Sequence, residues 1–255
     1  MKIALIRCPW VTIQHPPDIG LAYLVASLKR DGHEVSLFDL NIEFYHKIED
    51  VDKKNLIYSR PQVLMEEGKK IFQKYPLLVD ETIKRILKLQ PEIVGFNVWQ
   101  MNTEVSKEFA KMIKAINQSI YIIFGGPDAY PLWSGKEYVK ENMVDLIVYG
   151  EAEITFKKIL NNFSKYRKVY PIPGTIIKDN GKEIDSGFGE VVENLDELPM
   201  PALEVFPLQL YIKKCIPISF SRGCVYKCVY CPKEMYPKFR WRSPENIIKE
   251  LECRL

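Results

Sequence analysis

A doubly wound parallel α/β sheet is the fold class this sequence predicts, on three observations. Short apolar runs alternate with helical patterns along the first 165 residues, which is how successive βα units read. Polar, glycine-bearing segments follow those runs, where open α/β sheets place their ligands. A further apolar run near residue 216 leads into a cysteine-rich loop, the start of a second domain.

Residues 2–8 form a short apolar run stopped by Pro9 and are expected to be a buried strand. After the segment Pro16-Pro17-Asp18-Ile19-Gly20, the pattern over Leu21–Arg30 predicts a helix that Gly32 ends. Residues 34–40 make the second strand, with a right-handed crossover between the two. Residues 41–76 lack a strand pattern and are expected to hold short helices. A helix over Val79–Gln90, stopped by Pro91, precedes the third strand at 93–98. Asn102 or Thr103 is placed to cap a helix over Glu104–Asn117. The fourth strand, 121–124, is closed by Gly125-Gly126-Pro127. A helix over 135–142, a fifth strand at 146–149 and a helix over Ile154–Phe163 complete the alternation.

Past residue 165 the pattern changes. Asn180-Gly181, flanked by apolar and polar residues, is a strong hairpin signal. Residues 188–214, with Pro199, Pro201 and Pro207, read as an extended linker. Ser243 and Pro244 open a last helix, as cap and first position. The expected organisation is therefore an α/β domain at 1–165, a hairpin and linker at 166–214, and the beginning of a second domain at 215–255.

The candidate ligand site comprises the segments after the strands: Pro17 and Gly20, Asn97 and Thr103, Gly125, Gly126 and Pro127, and Gly150, Glu151 and Glu153. Adjacent glycines let a bulky ligand approach the backbone, although Gly125-Gly126-Pro127 is equally readable as a turn. Glu151 and Glu153 could bond a ligand's amides or simply favour the following helix N-terminus. Neither G-x-G-x-x-G nor G-x-x-x-x-G-K-[ST] occurs, so an ordinary dinucleotide or phosphate-loop site is not expected.

Three of the six cysteines, Cys224, Cys228 and Cys231, are spaced C-x3-C-x2-C. That spacing suits a loop folded around one soft metal centre. A closed zinc knuckle would need Cys215 or Cys253 as a fourth thiolate, and the paired C-x2-C arrangement of such sites is absent. Cys8, Cys215 and Cys253 are expected to be packing residues. Arg240 and Arg242 flank Trp241, as either a cation–π cluster or a solvated surface.

Net charge of +3 spread along the chain gives no nucleic-acid surface. The N-terminal apolar run is too short for a signal peptide, and no stretch approaches the roughly 18 apolar residues of a membrane span. Free thiolates point to a reducing cytoplasm.

The cysteine segment, with Tyr230 before the last cysteine, resembles the cluster loop of the radical S-adenosylmethionine (radical SAM) superfamily. The resemblance implies a [4Fe–4S] cluster held by Cys224, Cys228 and Cys231, with S-adenosylmethionine on the open iron. It also implies an electron donor, and an adenine positioned by the Tyr230 backbone, unless that residue is packing. Arg222 and Gly223 would shape the loop.

The preceding chain resembles the Rossmann-like cobalamin-binding domain that stands before many radical SAM barrels. The matching pieces are Pro16-Pro17-x-x-Gly20-Leu21-Ala22-Tyr23-Leu24, Gly32-His33-Glu34-Val35, Gly125-Gly126-Pro127 and Gly150-Glu151-Ala152-Glu153. They continue through Asn194–Pro201 into Ser221-Arg222-Gly223-Cys224. None of His15, His33 and His46 stands in the D-x-H-x-x-G pattern, so cobalamin is expected to bind without a histidine lower ligand.

The resemblance implies methyl transfer to an unactivated carbon of a substrate that is a small molecule or of unknown kind. The sequence carries only the first strand, loop and helix of the barrel, and is expected to be a fragment that is a poor catalyst alone. No catalytic acid, base or nucleophile is assigned. Two other functions fit the residues: a radical SAM protein whose α/β domain recognises substrate without cobalamin, and a non-catalytic metal-binding module.

Overall fold

The apolar runs become the strands of one sheet. In the computed structural model, which describes residues 1–9, 15–58, 61–232 and 237–254, β1 (Lys2–Arg7), β2 (Glu34–Asp39), β3 (Ile93–Asn97), β4 (Tyr121–Gly125) and β5 (Leu146–Val148) are mutually parallel. The order is β2-β1-β3-β4-β5, so the winding reverses between β1 and β3. That reversal opens a crevice at the carboxyl ends of the strands.

The hairpin forms about Asn180 and Gly181, both at positive φ. Its strands β6 (Thr175–Asp179) and β7 (Lys182–Asp185) do not stand apart from the sheet. They extend it antiparallel beyond β5, which gives seven strands in all.

Two apolar faces follow from side-chain alternation along the strands. One face carries Ala4, Ile6, Val94 and Phe96, and is covered by α5 (Pro76–Lys88) and α6 (Thr103–Ile116). α6 presents Val105, Phe109, Ala110 and Ile113 at helical spacing. The insertion forms α2 (Leu40–Lys47), α3 (Asp50–Tyr58) and α4 (Pro61–Lys74). Phe44, Leu64 and Ile71 bury it largely on this same face.

The other face carries Leu5, Ile123 and Val148 under α1 (Ile19–Arg30) and α8 (Ala152–Tyr166). The stretch expected to be a linker is strapped here. Leu203 and Phe206 are buried against α1, and the Ala202 N–H donates to Ala22 O at 3.1 Å. Burying each of those side chains stabilises the strap by about 1.5–3 kcal/mol. The Tyr211 hydroxyl closes the strap on Asp39, which also accepts from Arg7 Nη1 at 3.2 Å. Burial pushes the Asp39 carboxyl up, and the Arg7 charge only partly offsets it.

The helix expected over 135–142 shrinks to α7 (Lys136–Tyr138), preceded by a wide turn at Pro131–Gly135. Trp133 breaks that turn (φ −101°, ψ −107°). The Tyr138 hydroxyl at its end donates inward to Asp128 Oδ2.

Beyond the strap, β8 (Ser221–Arg222) pairs antiparallel with β9 (Arg240–Trp241), and α9 (Pro244–Glu252) follows. Among the described residues no helix is long and apolar enough to cross a membrane.

Candidate functional site

At the carboxyl ends of β1, β3 and β4, Arg7, Asn97 and Gly125 are register partners. Asn97 Nδ2 donates to Asp18 Oδ2 at 2.8 Å, while Asp18 Oδ1 accepts from Leu21 N at 2.9 Å and caps α1. One side-chain bond thus ties the end of β3 to the start of α1, across the crevice. Beside it lies a cavity of about 570 Å³ on the α1/α8 side of the sheet.

The cavity's shape depends on Gly126. Its φ of +101° is a conformation that L side chains avoid, and a Cβ there would stand 2.2 Å from Asn97 Oδ1 and 2.8 Å from Val98 O. The Val98 N–H donates to Gly125 O at 2.6 Å, so the two strand ends are drawn together without side chains between them. One lining residue also carries a buried polar atom without a partner. The indole N–H of Trp99, a lining residue, has no hydrogen-bond partner. A buried donor without an acceptor costs stability that a bound acceptor would recover.

Of the residues expected at the site, Gly20, Asn97, Gly125, Gly126, Pro127, Gly150, Glu151 and Glu153 line this cavity. Pro17 is buried outside the lining. Thr103 also lies elsewhere: its hydroxyl donates to Asp128 Oδ2 at 3.0 Å and shares a bond with Tyr138 OH at 2.8 Å. It locks the turn after Gly126 instead of facing a ligand. Tyr230 is 87% exposed and stands away from the cavity. Among the described residues no histidine lines it.

One wall of the cavity comes from the cysteine segment. Ser219, Ser221, Arg222 and Gly223 all line it. Gly223, at φ +85°, lies so close to β9 that a Cβ would fall 1.9 Å from Lys238 O. Only glycine fits there, and the cysteine loop departs from that point. Cys224 and Cys228 are exposed, Cys231 is half-buried, and the Cys231 N–H donates to Cys228 O at 3.1 Å. Among the described residues no three His, Cys, Asp or Glu side chains converge on one point. The loop is open, and its donor set is three free thiols. That set suits a soft metal or iron–sulfur centre once the loop closes around it.

Glu151 and Glu153 do not offer free carboxylates to a ligand. Glu151 accepts from Arg222 Nη1 at 3.3 Å, from Arg240 Nη1 at 3.1 Å and from Arg240 Nη2, as well as from Val192 N at 3.2 Å. Glu153 accepts from Arg222 Nη2 at 2.7 Å. Burial alone would push the Glu151 carboxyl up, but Arg240 and Arg222 outweigh it and hold it below the usual range. The Arg222 guanidinium also lies 5.0 Å from the centre of the Tyr23 ring on α1.

Arg240 and Arg242 are therefore neither a cation–π pair with Trp241 nor a solvated surface. Both are buried, at 5% and 4% exposure, while Trp241 is 68% exposed. The period-two alternation of a strand puts the two arginines on one face and the tryptophan on the other. That alternation was the available sign of their role. Asp18 and Trp99 carried no comparable sign.

The remaining thiols differ sharply. Cys8 is fully buried, and burial pushes its thiol up to about 12. Cys215 and Cys253, expected to pack, are exposed. Maleimide labelling of the metal-free chain near pH 8 should modify Cys215, Cys224, Cys228 and Cys253 readily and leave Cys8 unmodified, since the thiolate is the reacting form. Comparable labelling of Cys8, read by peptide mass mapping, would contradict its placement.

Comparison with known proteins accords with the crevice at the strand ends. Residues 14–160 match the B12 binding domain family, more than half of the chain. The chain belongs to the B12 binding domain family. Its B12 binding domain and cysteine segment together resemble longer proteins. An uncharacterised methyltransferase of Pyrococcus horikoshii is 30% identical over 92% of this chain and 45% of its own length. The hopanoid C-3 methylase of Methylococcus capsulatus is 22% identical over 91% of this chain and 39% of its own. The chain thus spans less than half the length of these curated relatives.

Among solved structures, the cobalamin-dependent S-adenosylmethionine radical enzyme OxsB, with aqua-cobalamin and S-adenosylmethionine bound, superposes with a TM-score of 0.73 at 21% identity. The match covers 98% of this chain and 31% of that one. The radical S-adenosylmethionine methyltransferase TsrM from Kitasatospora setae gives 0.65 at 17% identity, over 99% of this chain and 45% of its own. At these identities the likeness shows that the B12 binding domain and the segment after it share a fold with those enzymes.

Proposed function

We propose that this chain is the cofactor-holding part of a cobalamin-dependent radical SAM methyltransferase. The observation that carries the reading is the shared cavity. A B12 binding domain opens at its strand ends into a cavity whose far wall is the root of a C-x3-C-x2-C loop. A cobalt centre and an iron–sulfur centre held this way would be neighbours, as one reaction using both requires.

When bound, the cluster would supply the electron that cleaves S-adenosylmethionine, and the corrinoid would supply the methyl group. The chain's own residues bind and orient. Gly126 and Gly150 keep side chains away from the cavity mouth. Cys224, Cys228 and Cys231 would ligate the cluster, leaving one iron for S-adenosylmethionine. Tyr230, exposed in the same loop, would position the adenine through its backbone. Among the described residues no histidine lines the cavity, so no imidazole of this chain is assigned to the corrinoid. An electron donor and a substrate of unassigned structure complete the reaction, in the cytoplasm. The division into a cofactor domain at 1–165, a connecting hairpin and strap at 166–214, and a radical domain from 215 belongs to this proposal.

The test is anaerobic reconstitution with iron and sulfide, followed by metal analysis and visible spectra with and without hydroxocobalamin. About four irons per chain, lost in Cys224→Ala, together with retained corrinoid, is the expected outcome. A cluster without corrinoid would instead favour an α/β domain that recognises substrate. One zinc per chain and no cluster would sink the radical reading.

A further inference from the structure

Glu151 stands where the cavity meets the cysteine loop. It follows Gly150 at the end of β5 and lines the cavity, and its carboxylate receives both Arg222 and Arg240. Arg222 lies two residues before Cys224 and is the ladder partner of Arg240. The four side chains of the junction, Glu151, Glu153, Arg222 and Arg240, are only 15%, 9%, 17% and 4% exposed. Arg240 is fixed from behind as well, donating to Val192 O at 2.5 Å and Lys238 O at 3.1 Å.

A buried ion pair is weak evidence for stability as such, because apolar replacements often serve as well. Its placement is more informative. The pairs join the strand-end wall of the cavity to the root of the cysteine loop, and both ends line the same space. A ligand that shifts Gly150-Glu151 must carry Arg222 with it. A centre that closes the loop must pull on Glu151 in return.

We propose that Glu151 is a positioning residue that couples the two sites, so that filling the cavity tightens binding at the cysteine loop and the reverse. This rests on the reading of the cavity as a corrinoid site and the loop as a cluster site. Linkage makes the coupling reciprocal, and couplings through such elements are commonly about 5–150-fold.

The experiment titrates the whole chain with hydroxocobalamin, before and after iron–sulfide reconstitution, in the wild type and in Glu151→Gln. The wild type should bind corrinoid about tenfold more tightly once the cluster is present. Glu151→Gln should bind both groups yet show the same corrinoid affinity with and without the cluster. A merely structural role would lower stability and leave that ratio unchanged. Glu193→Gln, which breaks only the exposed pair with Lys238, should keep the ratio.

Hydrogen exchange supplies the second readout. In Glu151→Gln, amides of 221–223 and 240–241 should exchange faster, while those of β1 and β3 stay protected. Should that variant fail to fold, Arg222→Lys keeps the charge, loses the forked contact and should also reduce the ratio. Equal ratios in wild type and Glu151→Gln overturn the coupling alone, and unchanged exchange overturns the junction's hold on the loop. A wild type that retains no corrinoid overturns the underlying reading, and the coupling with it.

Discussion

Gly126→Ala should cost the protein several kcal/mol of stability and most of its capacity to retain corrinoid. Two penalties add. Gly126 sits at φ +101° and ψ −177°, a region essentially confined to glycine, and forcing another residue there costs about 1–3 kcal/mol. The new Cβ would also stand 2.2 Å from Asn97 Oδ1 and 2.8 Å from Val98 O, an overpacking cost of about 1–3 kcal/mol. Backbone cannot yield readily here, because the Val98 N–H is bonded to Gly125 O and the Asp128 N–H to Val98 O. Asn97 yields first, and with it goes the bond to Asp18 that ties β3 to α1. The cavity mouth then loses its shape, and corrinoid affinity should fall at least about tenfold, the equivalent of about 1.4 kcal/mol. Urea unfolding followed by circular dichroism reads the first effect, and hydroxocobalamin titration the second. In an Asn97→Ala background the added methyl meets one obstacle fewer, so the two substitutions should combine sub-additively. Stability within about 0.5 kcal/mol of wild type would contradict this account of the turn.

The sheet was legible because its strands are buried on both faces and read as continuous apolar runs. β1, β3 and β4 lie within one residue of their expected limits at each end. The partner of the Asn180-Gly181 hairpin was not legible. Periodicity says that Thr175-Ile176-Ile177 is a strand, but its pairing with Leu146-Ile147-Val148 depends on a long-range meeting that no local pattern encodes.

The same reason hid the junction. Glu151 and Arg240 are 89 residues apart, so neither segment alone shows the other as its partner. Thr103 shows the opposite error. Its position at a helix start after a strand suggested a ligand contact, but a buried hydroxyl bonds to the protein groups around it, and here those are Trp99 O, Asp128 Oδ2 and Tyr138 OH. The glycine clusters and the cysteine spacing were legible because backbone crowding and metal ligation both demand particular residue types at short range.

Arg242→Leu should release α9 from the body of the protein at a cost of about 3–5 kcal/mol, because it leaves the buried Glu250 with only Arg254 Nη2, 4.0 Å from its Oε1. Glu250 is fully buried, and Arg242 Nη1 donates to its Oε2. The same guanidinium reaches Tyr23 OH on α1 at 3.2 Å, Ser219 O at 3.2 Å and Asn246 Oδ1 at 2.7 Å, so one residue ties α9, the approach to β8 and the α/β core together. Ser243 and Pro244 supply a sound helix start, with Ser243 Oγ accepting from Asn246 N at 3.1 Å. The helix can therefore persist locally while losing its seat. Opening should be local, with 237–254 open to protease while the sheet keeps its melting behaviour. The double variant Arg242→Leu/Glu250→Leu separates this mechanism from simple loss of packing. Replacing the whole pair by apolar side chains removes the stranded charge and should recover most of the protection. Equal protease sensitivity in the single and double variants would mean that the carboxylate is not the cause, and that the other bonds of Arg242 hold α9.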